Sequence, residues 1–219
     1  MQGRFEGVSV KELALRDNAG RRRENRERGF SMVELCVVVT LILVISAIAI
    51  TSLRPAVQDA NCDTAMRQVI GQLRQAREYA ITNRRYVQIT FPVVAGQPEI
   101  VMTQRNDLTV GAGGLNPVLS AIPIHGPESF LVFPTLPDTP DANGKSAAIV
   151  FEGINGGPVG GMLFQSDGEL VDGATFQPIN GTVFLGLAGQ TPTARAITVL
   201  GGTGRVHAWK ISGTTWMLF

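Results

Sequence analysis

The sequence predicts an α+β fold, with one long N-terminal helix packed on an antiparallel β-sheet domain. Three observations predict it. Residues 30–53 form an apolar run in which Glu34 is the only side chain charged at neutral pH. Residues 56–84 then carry apolar side chains at three- and four-residue steps, the period of a helix with one buried face. After Arg85 the period changes to two, and short alternating runs separated by turn residues follow. A helix followed by a series of strands belongs to an antiparallel α+β arrangement.

The chain has 219 residues, enough for one medium domain and an anchor. Its near-neutral charge hides an asymmetry. Residues 1–29 hold eight Lys/Arg against five Asp/Glu, and residues 30–219 hold eleven against thirteen. The basic excess therefore lies ahead of the apolar run, and no generally basic surface remains to make nucleic acid the main partner.

The apolar run is the first element. Its 24 residues would form roughly 36 Å of helix, enough to cross a ~30 Å hydrocarbon core with some tilt. A cleaved secretory signal has a shorter apolar core followed by a small-x-small site, which this run lacks. Arg21, Arg22, Arg23, Arg26 and Arg28 crowd its N-terminal side, against Arg54 alone beyond the far end. The positive-inside rule puts residues 1–29 in the cytoplasm and the rest across the membrane. Glu34 then needs a reason, since a carboxylate in the membrane costs ~2.5–3.5 kcal/mol on insertion scales.

Gly29-Phe30-Ser31-Met32-Val33-Glu34, leading directly into the apolar run, resembles the class III signal of type IV prepilins and type II secretion pseudopilins. The resemblance implies that a prepilin peptidase cuts after Gly29 and N-methylates Phe30. A residue without Cβ suits such close backbone approach. It also implies an assembly role for Glu34, whose carboxylate would meet the N-terminal amine of a neighbouring subunit. A buried or lipid-facing charge is compensated by such a partner. Leu43 and Thr51 stand where many relatives carry glycine and proline, which predicts a stiffer stalk with Pro55 as its first breaker.

Residues 54–84 are expected to be the exported half of the same helix. Ala65, Met66, Val69, Ile70, Leu73, Ala76, Ala80 and Ile81 form its apolar face, with Gln68, Gln72 and Gln75 opposite. Arg74 and Glu78 have the i,i+4 spacing of a helical ion pair, worth about 0.2–0.5 kcal/mol. Arg67, Arg74, Arg77, Arg84 and Arg85 read as a solvated face, with anion binding as the alternative.

Residues 85–219 form the β-rich domain. Strands are expected at 86–91, 100–103, 130–133, 147–151, 161–165, 182–187, 196–200, 205–211 and 215–219. Residues 104–146, rich in Gly and Pro between positions 111 and 145, read as a long loop with one short strand. The whole resembles the GspH/FimT family of minor pseudopilins and pilins, a pilin-like fold. Its echoes are the helix end Arg77-Glu78-Tyr79-Ala80-Ile81, the turn Phe164-Gln165-Ser166-Asp167-Gly168, and the pair Ile197-Thr198-Val199 and Gly204-Arg205-Val206.

No catalytic constellation stands out, and no enzyme activity or cofactor is expected. His125 and His207 lack metal-type partners at the usual spacings. The glycine-rich stretches 111–114 and 153–161 lack the Lys-Ser/Thr of a phosphate loop. Asp138, Asp141 and Asn143 have the spacing of calcium ligands but lack the later bidentate acid, so no metal is expected. Cys36 and Cys62 would lie ~39 Å apart on one helix, far beyond disulfide reach, so Cys62 is expected to be a packed or exposed thiol, with pairing between chains as the alternative.

The expectation is a minor pseudopilin of the type II secretion system. Its partners would be other pseudopilins or pilins, the prepilin peptidase and an inner-membrane assembly platform. One alternative is a minor type IV pilin of the FimT kind, taking part in pilus assembly or DNA uptake. In it Arg205 contacts nucleic acid, although FimT-type relatives carry a second arginine where His207 stands. Another is a membrane-tethered binding domain that does not polymerise.

Overall fold

The computed structural model describes residues 30–106, 116–124, 128–153 and 162–219. The chain divides into two compact units, Met1–Thr51 and Ser52–Phe219. One helix, α1 (Met32–Asn83), supplies the described residues of the first unit beyond Phe30 and Ser31, and opens the second. The Ser31 carbonyl accepts its first backbone bond, from Leu35 N at 3.0 Å. Its described side chains up to Ile50 are all exposed, and it is long and apolar enough to cross a membrane.

Pro55 does not break the helix, contrary to expectation. The loss of one backbone hydrogen bond is absorbed, and α1 continues to Asn83. It ends where Arg84 turns into the left-handed region at φ 52° and Arg85 N reaches back to Ala80 O at 3.2 Å. That six-to-one bond closes a Schellman-type end with arginine in the place usually taken by glycine.

The second unit holds twelve strands among its described residues, in two antiparallel sheets rather than one. The first sheet contains β1 (Tyr86–Thr90), β2 (Val93–Val94), β3 (Gln97–Arg105), β4 (Val118–Pro123), β7 (Met162–Phe164) and β8 (Leu170–Asp172). Its order is β2-β3-β1-β7-β8, with β4 also on β3. The second contains β5 (Ser129–Phe130), β6 (Ile149–Gly153), β9 (Ile179–Gly186), β10 (Arg195–Leu200), β11 (Arg205–Ser212) and β12 (Thr215–Leu218). Its order is β12-β11-β10-β9-β5, with β6 also on β9.

Three strands escape sequence reading. β1 stops ahead of Pro92, and the short β2 follows it and returns into β3 through Ala95 and Gly96, at φ 51° and 82°. Two successive positive φ values match the twist of a tight hairpin turn. β4 lies inside 104–146, so that stretch is not one long loop. Its flanking Pro117 and terminal Pro123 mask a strand that pairs with β3 from Glu99 to Thr103. β8 has only three residues, too few for a period to show.

The main core forms where Ala65, Met66, Val69, Leu73, Ala76 and Ala80 of α1 meet both sheets. Packing against two sheets widens the buried arc of the helix beyond one stripe. Gln72, expected opposite the apolar face, is therefore buried, whereas Ile81 at the far end is 41 % exposed. The other face of the second sheet is covered by residues 131–136. Phe133 and Leu136 pack there on Phe184, Ala196, Ile211 and Trp216, and Trp216 Nε1 donates to Pro137 O at 2.9 Å.

Candidate functional site

Of the residues expected to carry function, Gly29 and the leader 1–29 lie outside the described residues. Phe30 is exposed just before α1, and Glu34 is exposed in the first turn of that helix. A carboxylate there faces the positive end of the helix dipole, a favourable site for an anion. Arg205 is the exposed first residue of β11.

The three weak motifs of the exported domain meet in space. Arg77 Nε, at the end of α1, donates to Gly168 O at 3.1 Å, in the turn after β7. Gly204, left-handed at φ 61°, packs against both: a Cβ there would overlap the Gly168 carbonyl and crowd the Arg77 side chain. The glycine before Arg205 is thus required by a backbone approach.

Beside this junction a cleft of about 580 Å³ opens between α1 and β11, lined by Arg74, Arg77, Glu78 and Arg205 among others. A second, of about 500 Å³, runs between Arg67, Ile70 and Gly71 of α1 and Val206, Ala208, Leu218 and Phe219. Both include Arg74, Val206 and His207, so they adjoin. The expected Arg74–Glu78 ion pair is not formed; their side chains line the cleft separately. Among the described residues, none of Arg67, Arg74, Arg77 and Arg205 forms an ion pair. Arg67 instead lies over the Phe219 ring, 5.3 Å from its centroid.

Four charged residues with no expected role tie α1 to the second sheet. Arg195 is fully buried on β10, sharing a face with Ile197 and Val199. Its guanidinium donates to Asp63 Oδ1 at 2.6 Å and to Asp59, and to the carbonyls of Pro192 and Ala194 at 3.2 and 3.0 Å. Lys210, its cross-strand partner on β11, reaches Asp59 Oδ2 at 2.7 Å and Asp63 Oδ2 at 3.4 Å. Burial pushes the Asp59 carboxyl upward, but hydrogen bonds and charge from Lys210 and Arg195 outweigh it and hold it below the ordinary carboxylate value. The readable signal was an Asp pair at i,i+4 on the helix, together with a charge among β-branched core residues of a strand.

On the outer face of the second sheet, Trp209 Nε1 donates to Thr198 Oγ1 at 3.0 Å, and that hydroxyl donates to Asp141. His207 Nδ1 lies 3.0 Å from the same carboxylate. Asp138 caps its own loop, accepting from Thr139 N and Gly144 N, while Asn143 donates to Gly181 O. The residues with calcium-loop spacing therefore turn to different partners. Among the described residues no three His, Cys, Asp or Glu side chains gather to hold a metal.

Cys62 is a packed thiol. Burial, with the Glu128 charge adding to it, pushes it up to about 11.

The chain matches no family model, no characterised protein and no solved structure in comparisons with each.

Proposed function

We propose that this chain is a minor pseudopilin, a structural and assembly subunit of the type II secretion pseudopilus that supports protein secretion across the outer membrane. One observation carries the reading. Glu34 stands in the first turn of a helix apolar enough to cross a membrane, directly behind the Gly29–Phe30 junction. On this reading the prepilin peptidase removes residues 1–29 and methylates Phe30. The protein then spans the inner membrane once, N-terminus in the cytoplasm and β domain in the periplasm. Glu34 meets the amine of a neighbouring subunit as the helix enters the filament. The work is mechanical and recognitive rather than chemical.

Two measurements test it. Mass spectrometry of the mature protein should find an N-terminal peptide beginning with methylated Phe30. In sheared filaments, Glu34→Ala should be recovered about tenfold less than wild type at equal membrane levels, the loss expected when a membrane-embedded charge pair is broken. Equal recovery would overturn the assembly role of Glu34. Recovery of neither protein, from cells whose filaments form, would favour a membrane-tethered domain that does not polymerise.

The second reading, a minor type IV pilin of the FimT kind, draws support from Arg205 lining a cleft with Arg74 and Arg77. Salt-sensitive DNA binding lost in Arg205→Ala would favour it.

A further inference from the structure

We propose that the paired clefts between α1 and the β11–β12 edge dock an extended acidic segment of another protein, alternating carboxylate and apolar side chains. The inference rests on the exported domain alone and does not depend on filament assembly through Glu34.

Charge defines the occupant's sign. Arg67, Arg74 and Arg205 are exposed, line the clefts and form no ion pair among the described residues. Cations left uncompensated on both walls attract carboxylates, and a bidentate guanidinium–carboxylate contact adds geometric selection.

The wall between them defines the occupant's other face. Val206 and Ala208 are joined there by Phe219, 47 % exposed, just beyond the end of β12. β12 is the outermost strand of its sheet, paired only with β11 among the described residues. An open strand edge beside apolar side chains is what an added peptide strand uses, backbone to backbone. In an extended peptide successive side chains point to opposite sides, so one row meets the apolar wall and the other the arginines.

Gly71 is the independent observation. It sits exposed in the middle of α1, and a Cβ there would meet nothing within 4 Å. Glycine weakens a helix interior, and no packing among the described residues asks for it. Its missing side chain keeps the cleft open at the level of Ile70 and Arg74. A partner's backbone approaching closely supplies the reason the chain itself lacks.

Nucleic acid fits less well. The apolar wall of Val206, Ala208 and Phe219 offers a phosphate backbone nothing.

The test uses the full chain in detergent micelles and a fluorescein-labelled octapeptide alternating glutamate with valine, followed by anisotropy. Binding should weaken as salt is raised, and the lysine-for-glutamate peptide should not bind. Gly71→Leu, which fills the cleft, and Arg74→Glu, which reverses its charge, should each weaken binding about tenfold or more. Unfolding midpoints should not fall, and that of Gly71→Leu should rise, since glycine weakens a helix interior; if Arg74→Glu misfolds, Arg67→Ser takes its place. No binding of the glutamate peptide, or binding indifferent to both substitutions, overturns the proposal. Tighter binding of a DNA duplex through the same residues overturns it too.

Discussion

Arg195 Nε donates to Asp63 Oδ1 at 2.6 Å, joining a β-strand to a helix residue 132 positions earlier in the chain. The guanidinium is wholly buried and the Asp63 side chain is 18 % exposed, so neither is free to exchange its partner for water.

Removing one member should therefore orphan its partner, and losses at the two should not add. Arg195→Met alone is expected to lower stability by about 3–5 kcal/mol, the usual penalty for orphaning a buried charge. Combined with Asp63→Leu the loss should fall short of the sum of the two single losses by roughly 1–3 kcal/mol. Denaturant unfolding of the full chain in detergent measures all three variants. Additive losses would show that the contact is incidental.

Acid should loosen the same junction through Asp59. Its carboxyl is held below the ordinary carboxylate value in the fold, while in the unfolded chain it has the ordinary value, ~4. The folded state therefore binds fewer protons at acidic pH. The stabilisation is complete above the unfolded value and disappears as pH falls through the lower, folded one. Asp59 is 40 % exposed, which softens the effect. The melting temperature of wild type should fall more steeply below pH 4 than that of Asp59→Asn, an order that thermal scans from about pH 6 to pH 2 will confirm or reverse.

Cys62 should resist alkylation. A thiol pushed up to about 11 and fully buried offers almost no thiolate at neutral pH. In a Cys36→Ala background, iodoacetamide at pH 8 should leave Cys62 unmodified in the folded protein and modify it fully in guanidinium. Fast labelling of the folded chain would contradict the packing described for it.

The ends of the fold were the most legible in the sequence. The apolar run, the 3.6-residue period beyond it and the paired final strands are local patterns, and each appears close to its expected place. β12 and β11 differ from expectation by one residue at an end. What escaped depends on distance along the chain. Gln72 reads as polar and outward, yet tertiary packing buries it to 4 % exposure. Arg195 stands just ahead of the expected strand 196–200, with no role until Asp59 and Asp63 arrive from α1. β4 hid between prolines, because its partner β3, and not its own composition, makes it a strand. The cleft was half visible. Arg67, Arg74, Arg77 and Arg205 were each noted, but the helical group and the strand residue had no reason to be read together before Gly204 and Gly168 brought their elements into contact.

The position of the Asp59–Asp63 cluster has a mechanical consequence. Both acids lie ahead of the helix residues that enter the main core, the first of which is Ala65. Tension drawn along α1 from its N-terminal end reaches this cluster before it reaches the core. The two carboxylates grip β10 and β11 at directly opposed residues, Arg195 and Lys210, so the pull divides between two strands. Contacts that share a pull in parallel fail together, whereas contacts in series peel one after another. Within the second unit, the helix is thus held to its sheet by a double rivet, set where a tug on α1 would otherwise begin to strip it away.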